Sequence, residues 1–282
     1  MPPPSIIRRS PPDAVIYDLS VPHQVTITLP AGSSWTSGLH WHETHTEYLR
    51  LVKGRIRLRL DDAVHSLSAS SSSSSSSSSA AAAAAAASPT EIRVERGVWH
   101  EWGRASESEN GRSGEGAETE VEGEDQEDVV VVERTEPADG DKAVFFWNLN
   151  GVILEAAEAA AEGRAQRRGL ASRLTRVWAG LWTTQSLWAI FDALDNFPVF
   201  LGVRDAGRRW GLVRRGSRGD AWLTWWETRW SHALLSIASV LVWVVGERAV
   251  RPRFTPAEEY AAWEVRKQKA KNTRAPGPSL VG

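Results

Sequence analysis

The chain has 282 residues, a formal net charge of −2, no cysteine and fifteen tryptophans. Without a thiol it can hold neither a disulfide framework nor a thiolate metal site, and its length allows one ordinary domain plus a further region. The charge is uneven: residues 1–161 carry 13 basic and 25 acidic side chains, residues 162–282 carry 20 and 10, which points to two regions with different surroundings.

Residues 1–13 are proline-rich and read as an irregular arm. A β pattern begins at Ala14, with β-formers at 15–19 and 24–29 separated by Val21-Pro22-His23. Residues 47–51 alternate, and Arg55-Ile56-Arg57-Leu58-Arg59-Leu60 alternates strictly, so that Ile56, Leu58 and Leu60 face a core and the arginines face water. Gly54 lies between these runs, where a tight hairpin needs it. Two insertions interrupt the pattern: a polyserine–polyalanine tract (about 68–89) and a stretch at 105–128 with ten acidic residues and one arginine. Both read as disordered loop expansions, which cost little closure entropy. Strand signals resume at 91–95, 98–102, 128–135 and 142–148. About eight short strands within 14–150 argue for an antiparallel sandwich or barrel. From 151 to 282 the texture is helical, rich in alanine, leucine and arginine.

Three of the seven histidines fall in His40-Trp41-His42-Glu43-Thr44-His45. On a strand, positions i and i+2 share a face, so His40 and His42 project together; Glu47 opens the next strand in step with Leu49 and Leu51. Two imidazoles and a carboxylate converging from adjacent strands suit a divalent metal with open positions. By the same parity Trp41 and Trp99 face away from the ligands, Trp102 shares the face of His100, and His45 reads as an exposed loop residue.

The run His40-x-His42, four residues, Glu47, six residues, Gly54 resembles the first motif of the cupin superfamily, and Gly97-Val98-Trp99-His100 resembles its second. The resemblance covers roughly residues 14–150, with wording similar to cupin-2-type proteins of filamentous fungi. It implies a mainly β fold, a double-stranded β-helix or jelly-roll barrel, with His40, His42, Glu47 and His100 as ligands of one divalent transition metal (Fe, Mn, Ni, Zn or Cu). Ser34, Glu95 and Arg104 stand where the motifs usually carry glycine, proline and asparagine; these positions shape turns and do not bind metal. The implied activity is a metal-dependent oxidoreductase of dioxygenase type, or an isomerase or cyclase, acting on a small organic molecule. The alternative is a non-catalytic small-molecule-binding or scaffolding module. No catalytic acid or base is identifiable; Glu43 and Glu101 are near the motifs but read as solvated.

The tail raises a membrane question. Residues 231–246 lack an ionised side chain, and sixteen helical residues span about 24 Å against a hydrocarbon core of about 30 Å. Trp222, Trp225, Trp226 and Trp230 precede the segment and Arg248, Arg251 and Arg253 follow it, as flanks of a membrane helix would. The expectation is a transmembrane helix at 231–246 tethering the protein to an intracellular membrane, with an earlier apolar segment at 177–191. A soluble helical subdomain and a dimerisation hairpin are the alternatives. The N-terminus carries no signal-peptide pattern, and no nucleic-acid motif is present.

Overall fold

The computed structural model describes residues 2–69, 91–105, 127–165 and 170–274. The two expected insertions fall almost wholly outside the described residues. The chain divides into two compact units: Ser5–Asp139 with Asp195–Leu235, and Met1–Pro4 with Gly140–Leu194 and Ser236–Gly282.

The first unit is built on strands β1 (Ile6–Arg9), β2 (Val15–Asp18), β3 (Gln24–Leu29), β4 (His40–Trp41), β5 (Thr46–Lys53), β6 (Arg55–Leu60), β7 (Ala63–Ser68), β8 (Glu91–Val94), β9 (His100–Arg104) and β10 (Val129–Glu136). After helices α1 (Asp141–Ala165) and α2 (Leu170–Ala193) the chain returns with β11 (Phe197–Pro198) and α3 (Val203–Arg209). Helices α4 (Arg218–Val244) and α5 (Ala257–Arg274) follow. The strands form two antiparallel sheets, β1-β2-β3-β10-β5-β8 and β11-β4-β9-β6-β7.

Period-two patterning places the core between the sheets. Val25, Ile27 and Leu29 of β3, Leu49 and Leu51 of β5, Ile56 and Leu58 of β6, and Val129 and Val131 of β10 are all buried. Each such side chain contributes roughly 1.5–3 kcal/mol of transfer free energy. Gly54 turns β5 into β6 at φ 79, and a Cβ there would stand 2.9 Å from Val129 Cγ2. Only glycine meets both demands without strain.

Four expectations are corrected. The supposed irregular arm contains β1, paired with β2 through Ile7↔Tyr17; the prolines flank a four-residue strand whose Ile7 is buried. Residues 142–148 lie in α1, not in a strand; Ala143, Val144, Phe145, Phe146 and Trp147 are buried in a helix, a tertiary override of β propensity. Of the three arginines on β6, Arg59 pairs at 2.5 Å with Asp205 of α3, so it is not simply water-facing. Finally, no helix among the described residues is long and apolar enough to cross a membrane. Residues 231–244 of the segment belong to α4, whose first half holds Arg218, Asp220, Glu227 and Arg229. Glu227 is fully buried and its carboxylate accepts the backbone N–H groups of Leu201, Gly202 and Val203 at 2.7–3.0 Å. That carboxylate caps protein backbone, which fixes this part of α4 against its own unit.

The second unit is helical. Within it Asn148 of α1, fully buried, donates to Val144 O and Thr255 Oγ1, each at 2.8 Å, and accepts from Arg251 N at 2.7 Å. A buried amide satisfied in this way fixes the 251–255 turn onto α1.

Candidate metal centre

The first motif sits where β4 runs into the loop leading to β5. His40 on β4 is directly opposite His100 on β9, and Glu47 on β5 is opposite Thr135 on β10. Two residues come from one sheet, one from the other and one from the loop just after β4, so the group lies between the sheets. All four side chains are buried, Glu47 and His100 almost completely. The imidazole centroids are 4.2 Å apart for His40 and His100, 5.1 Å for His40 and His42, and 5.3 Å for His42 and His100. Glu47 Oε2 is 2.8 Å from His100 Nε2, and Glu47 Oε1 is 3.9 Å from His42 Nε2.

The backbone fixes which nitrogen faces inward. The Nδ1–H of His40 donates to Gly38 O at 2.7 Å, that of His100 to Val98 O at 2.9 Å, and that of His42 to Asp195 O. A carbonyl only accepts, so Nδ1 carries a proton in each ring and Nε2 is the nitrogen that can offer a lone pair to a metal. The three rings are thus oriented by the kind of outer hydrogen bond that metal-binding histidines use. Burial, reinforced by His100 and His42, holds the His40 pKa well below its ordinary value, which keeps that ring neutral.

This donor set fits a metal ion. One ligand atom from each of the four residues can be chosen so that all lie within 4.8 Å of one another. Bonds of about 2.1 Å place neighbouring donors roughly 3 Å apart and opposite donors roughly 4 Å apart, the range spanned by the 2.8 Å and 3.9 Å separations. Imidazoles and a buried carboxylate can all donate electron pairs, and a cation between them offsets the cost of burying the charge.

Asp195 holds this site from a distant part of the sequence. It sits in the left-handed region, φ 55, one of the few backbone states that Asp tolerates and most residues avoid. Its carbonyl orients His42, while its carboxylate accepts from Glu43 N (2.8 Å), Thr44 N (2.9 Å), Thr44 Oγ1 (2.7 Å), His45 N (3.0 Å) and His45 Nδ1 (2.7 Å). Two residues later β11 pairs with β4, Phe197↔Trp41 and Pro198↔His40. The two motifs are also tied directly, since Gly97 N donates to His42 O at 2.7 Å.

His45 is not exposed as expected. It is buried between Asp195 and Asp139, whose Oδ2 lies 3.1 Å from its Nε2. Burial works to lower its pKa, but the hydrogen bonds to Asp139 and Asp195 outweigh it and raise the value to about 9. Burial likewise works to raise the Asp195 pKa and is outweighed by hydrogen bonds from His45 and Thr44, leaving it at about 2. The pair is therefore ionised at neutral pH. It stands outside the four-residue cluster.

Trp41 and Trp99 lie on the opposite face and stack on each other, and Trp41 stacks on Phe197 at 5.5 Å. Arg204 covers Trp99 at 3.8 Å. Trp102 lies inside, where its Nε1–H donates to the buried Glu133 at 2.7 Å and its ring meets Trp35 edge-on. Glu43 pairs with His232 at 2.8 Å. Sequence reasoning missed Asp195, Asp139 and Glu133. None lies in a motif, and only Glu133, an acidic residue in phase with Val129 and Val131, carried a usable signal.

No family model and no curated protein matches this chain. Solved structures similar to it include the capsular polysaccharide assembling protein CapF from Staphylococcus aureus (14% identity, TM-score 0.28, 46% of this chain and 30% of that one). They also include an RmlC-like cupin from Shewanella frigidimarina (11%, 0.27, 46% and 82%) and a predicted oxalate decarboxylase from Thermotoga maritima (12%, 0.29, 48% and 91%). The match spans less than a third of CapF. At these TM-scores the likeness carries no argument about activity, and the resemblance to fungal proteins finds no support in it. The motif spacing, the two facing sheets and the convergence of His40, His42, Glu47 and His100 between them are consistent with the cupin-type sandwich that the sequence implies.

Proposed function

We propose that His40, His42, Glu47 and His100 bind one divalent transition metal, and that the chain is a metal-dependent cupin acting on a small organic molecule. The observation that supports this reading is that backbone carbonyls engage Nδ1 of all three imidazoles, while one ligand atom from each ring and from the Glu47 carboxylate lies within 4.8 Å of the others. Four protein donors leave two positions on a six-coordinate ion, enough for a chelating enolate or carboxylate. The bound metal supplies Lewis acidity and, where it is redox-active, a route for O2 chemistry.

The chain's own residues set the conditions for that chemistry. The carbonyls of Gly38, Val98 and Asp195 hold the rings, and Leu49, Leu58 and Trp102, on the strands of the ligands or on one paired with them, are buried. Low local polarity strengthens the attraction between a cation and an anionic ligand. Elemental analysis of purified full-length protein tests the metal reading: about one metal per chain in the wild type and a large loss in His42→Ala are expected. Equal, near-zero occupancy in both after metal loading contradicts it. O2 consumption by the loaded protein with enolisable diketones and phenols then separates an oxidoreductase from a binding module, since a module binds such compounds without turnover.

A further inference from the structure

Helix α4 presents a face that a water-exposed helix does not ordinarily carry. Its side chains at 220, 227, 231 and 235 are buried within the first unit. The opposite stripe should be polar; instead it holds Trp222, Trp225, Trp226 and Trp230, each 40–58% exposed. The loop before α4 adds Trp210 and Leu212, both more than 70% exposed.

The charged side chains that stay exposed on this helix and on the loop before it are basic. Arg209, Arg214, Arg218 and Arg229 are exposed around them, and the Arg229 guanidinium lies 5.8 Å from the Trp225 ring. Every carboxylate between 203 and 235 is turned to another task. Asp205 pairs with Arg59, Asp220 binds Arg208 at 2.5 Å, and Glu227 caps the start of α3. The nearby Glu43 is held by His232.

We infer that this face is a peripheral docking surface for an anionic lipid bilayer. Indole rings favour the boundary between headgroups and acyl chains, and arginines beside them reach lipid phosphates and carboxylates. A second copy of the chain is a poor occupant, because a two-fold contact would set this arginine-rich face against itself, with Glu43, already paired with His232, as the carboxylate beside it. Tryptophans spread along one face of a helix, with arginines beside them, also fit a bilayer better than a nucleic acid. The contact lies along the surface and crosses nothing, and it is independent of the metal reading.

The test is co-sedimentation of the full-length protein with vesicles of phosphatidylcholine alone and of phosphatidylcholine with phosphatidylserine. We expect pelleting with the anionic vesicles, weakened by high salt and released by alkaline carbonate. It should fall roughly tenfold or more when Trp222, Trp225, Trp226 and Trp230 are replaced by serine, or when Arg218 and Arg229 are replaced by glutamine. The arginine variant guards against a folding defect, since both side chains are exposed; an unchanged melting temperature confirms it. Recovery of the wild type in the supernatant with both vesicle types overturns the proposal. So does retention after alkaline carbonate, self-association in the absence of vesicles that the tryptophan variant abolishes, or tighter binding to single-stranded RNA than to anionic vesicles.

Discussion

Replacing Asp195 probes how far the metal cluster depends on the segment that returns to the sandwich after α2. Its carboxylate accepts five hydrogen bonds of 2.7–3.0 Å from Glu43, Thr44 and His45. Hydrogen bonds to a charged group contribute roughly 1.5–3 kcal/mol each, but five acting on one three-residue loop are far from additive. Removing one partner of a buried ion pair costs about 3–5 kcal/mol, and the His45 and Asp195 side chains are only 9% and 11% exposed. Alanine adds roughly 1–2 kcal/mol for occupying the left-handed backbone state. Asp195→Ala is therefore expected to destabilise the metal-free protein by about 4–6 kcal/mol. Asp195→Asn tolerates the same φ and keeps one acceptor oxygen, so about 2 kcal/mol is expected. Both should also weaken metal binding by about 10–100-fold, because the loop and carbonyl that orient His42 are loosened. Denaturant unfolding measures the first effect and chelator competition the second. If Asp195→Asn leaves stability within about 0.5 kcal/mol and the metal Kd unchanged, the reasoning fails.

The same pair predicts a pH dependence. The raised pKa of His45, about 9, means its contribution is fully present below about 6.5 and is lost as pH rises through 9. The lowered pKa of Asp195, about 2, means its contribution is present above about 3.9 and is lost as pH falls through 2. The stability difference between wild type and Asp195→Asn should thus be greatest from about pH 4 to 6.5 and shrink as pH rises from there through about 9; a difference flat from pH 5 to 10 would refute it. Inside the sandwich, Trp102→Phe keeps the ring packing but removes one donor from the buried Glu133 carboxylate. A loss of about 1–3 kcal/mol in denaturant unfolding is expected, and a neutral result would show that the hydrogen bond contributes nothing net.

The parts of this structure that were legible beforehand are those written in short-range patterns. Alternation at Arg55–Leu60 placed Ile56 and Leu58 inside, and the two-residue spacing of His40 and His42 put both rings on one side. Glu47 joined them through its phase with Leu49 and Leu51. What stayed hidden depends on long-range contact. His45 reads as a loop residue until Asp139 and Asp195, 94 and 150 positions away, close on it. The β-branched and aromatic start of α1 resembles a strand, yet Asn148 and its partners at 251 and 255 reward the helix. The apolar half of α4 has the composition of a short membrane segment, but its other half is bound into the sandwich unit through Glu227 and Ser231. Local propensity could not show that connection.

X-ray absorption at the metal edge of the loaded, full-length protein tests the central claim most directly. The account predicts a first shell of nitrogen and oxygen donors at about 2.0–2.2 Å with no sulfur. It also predicts the multiple-scattering signature of three imidazoles, reduced to two in His100→Ala. A shell with one imidazole or none, or a spectrum unchanged by His100→Ala, would contradict it.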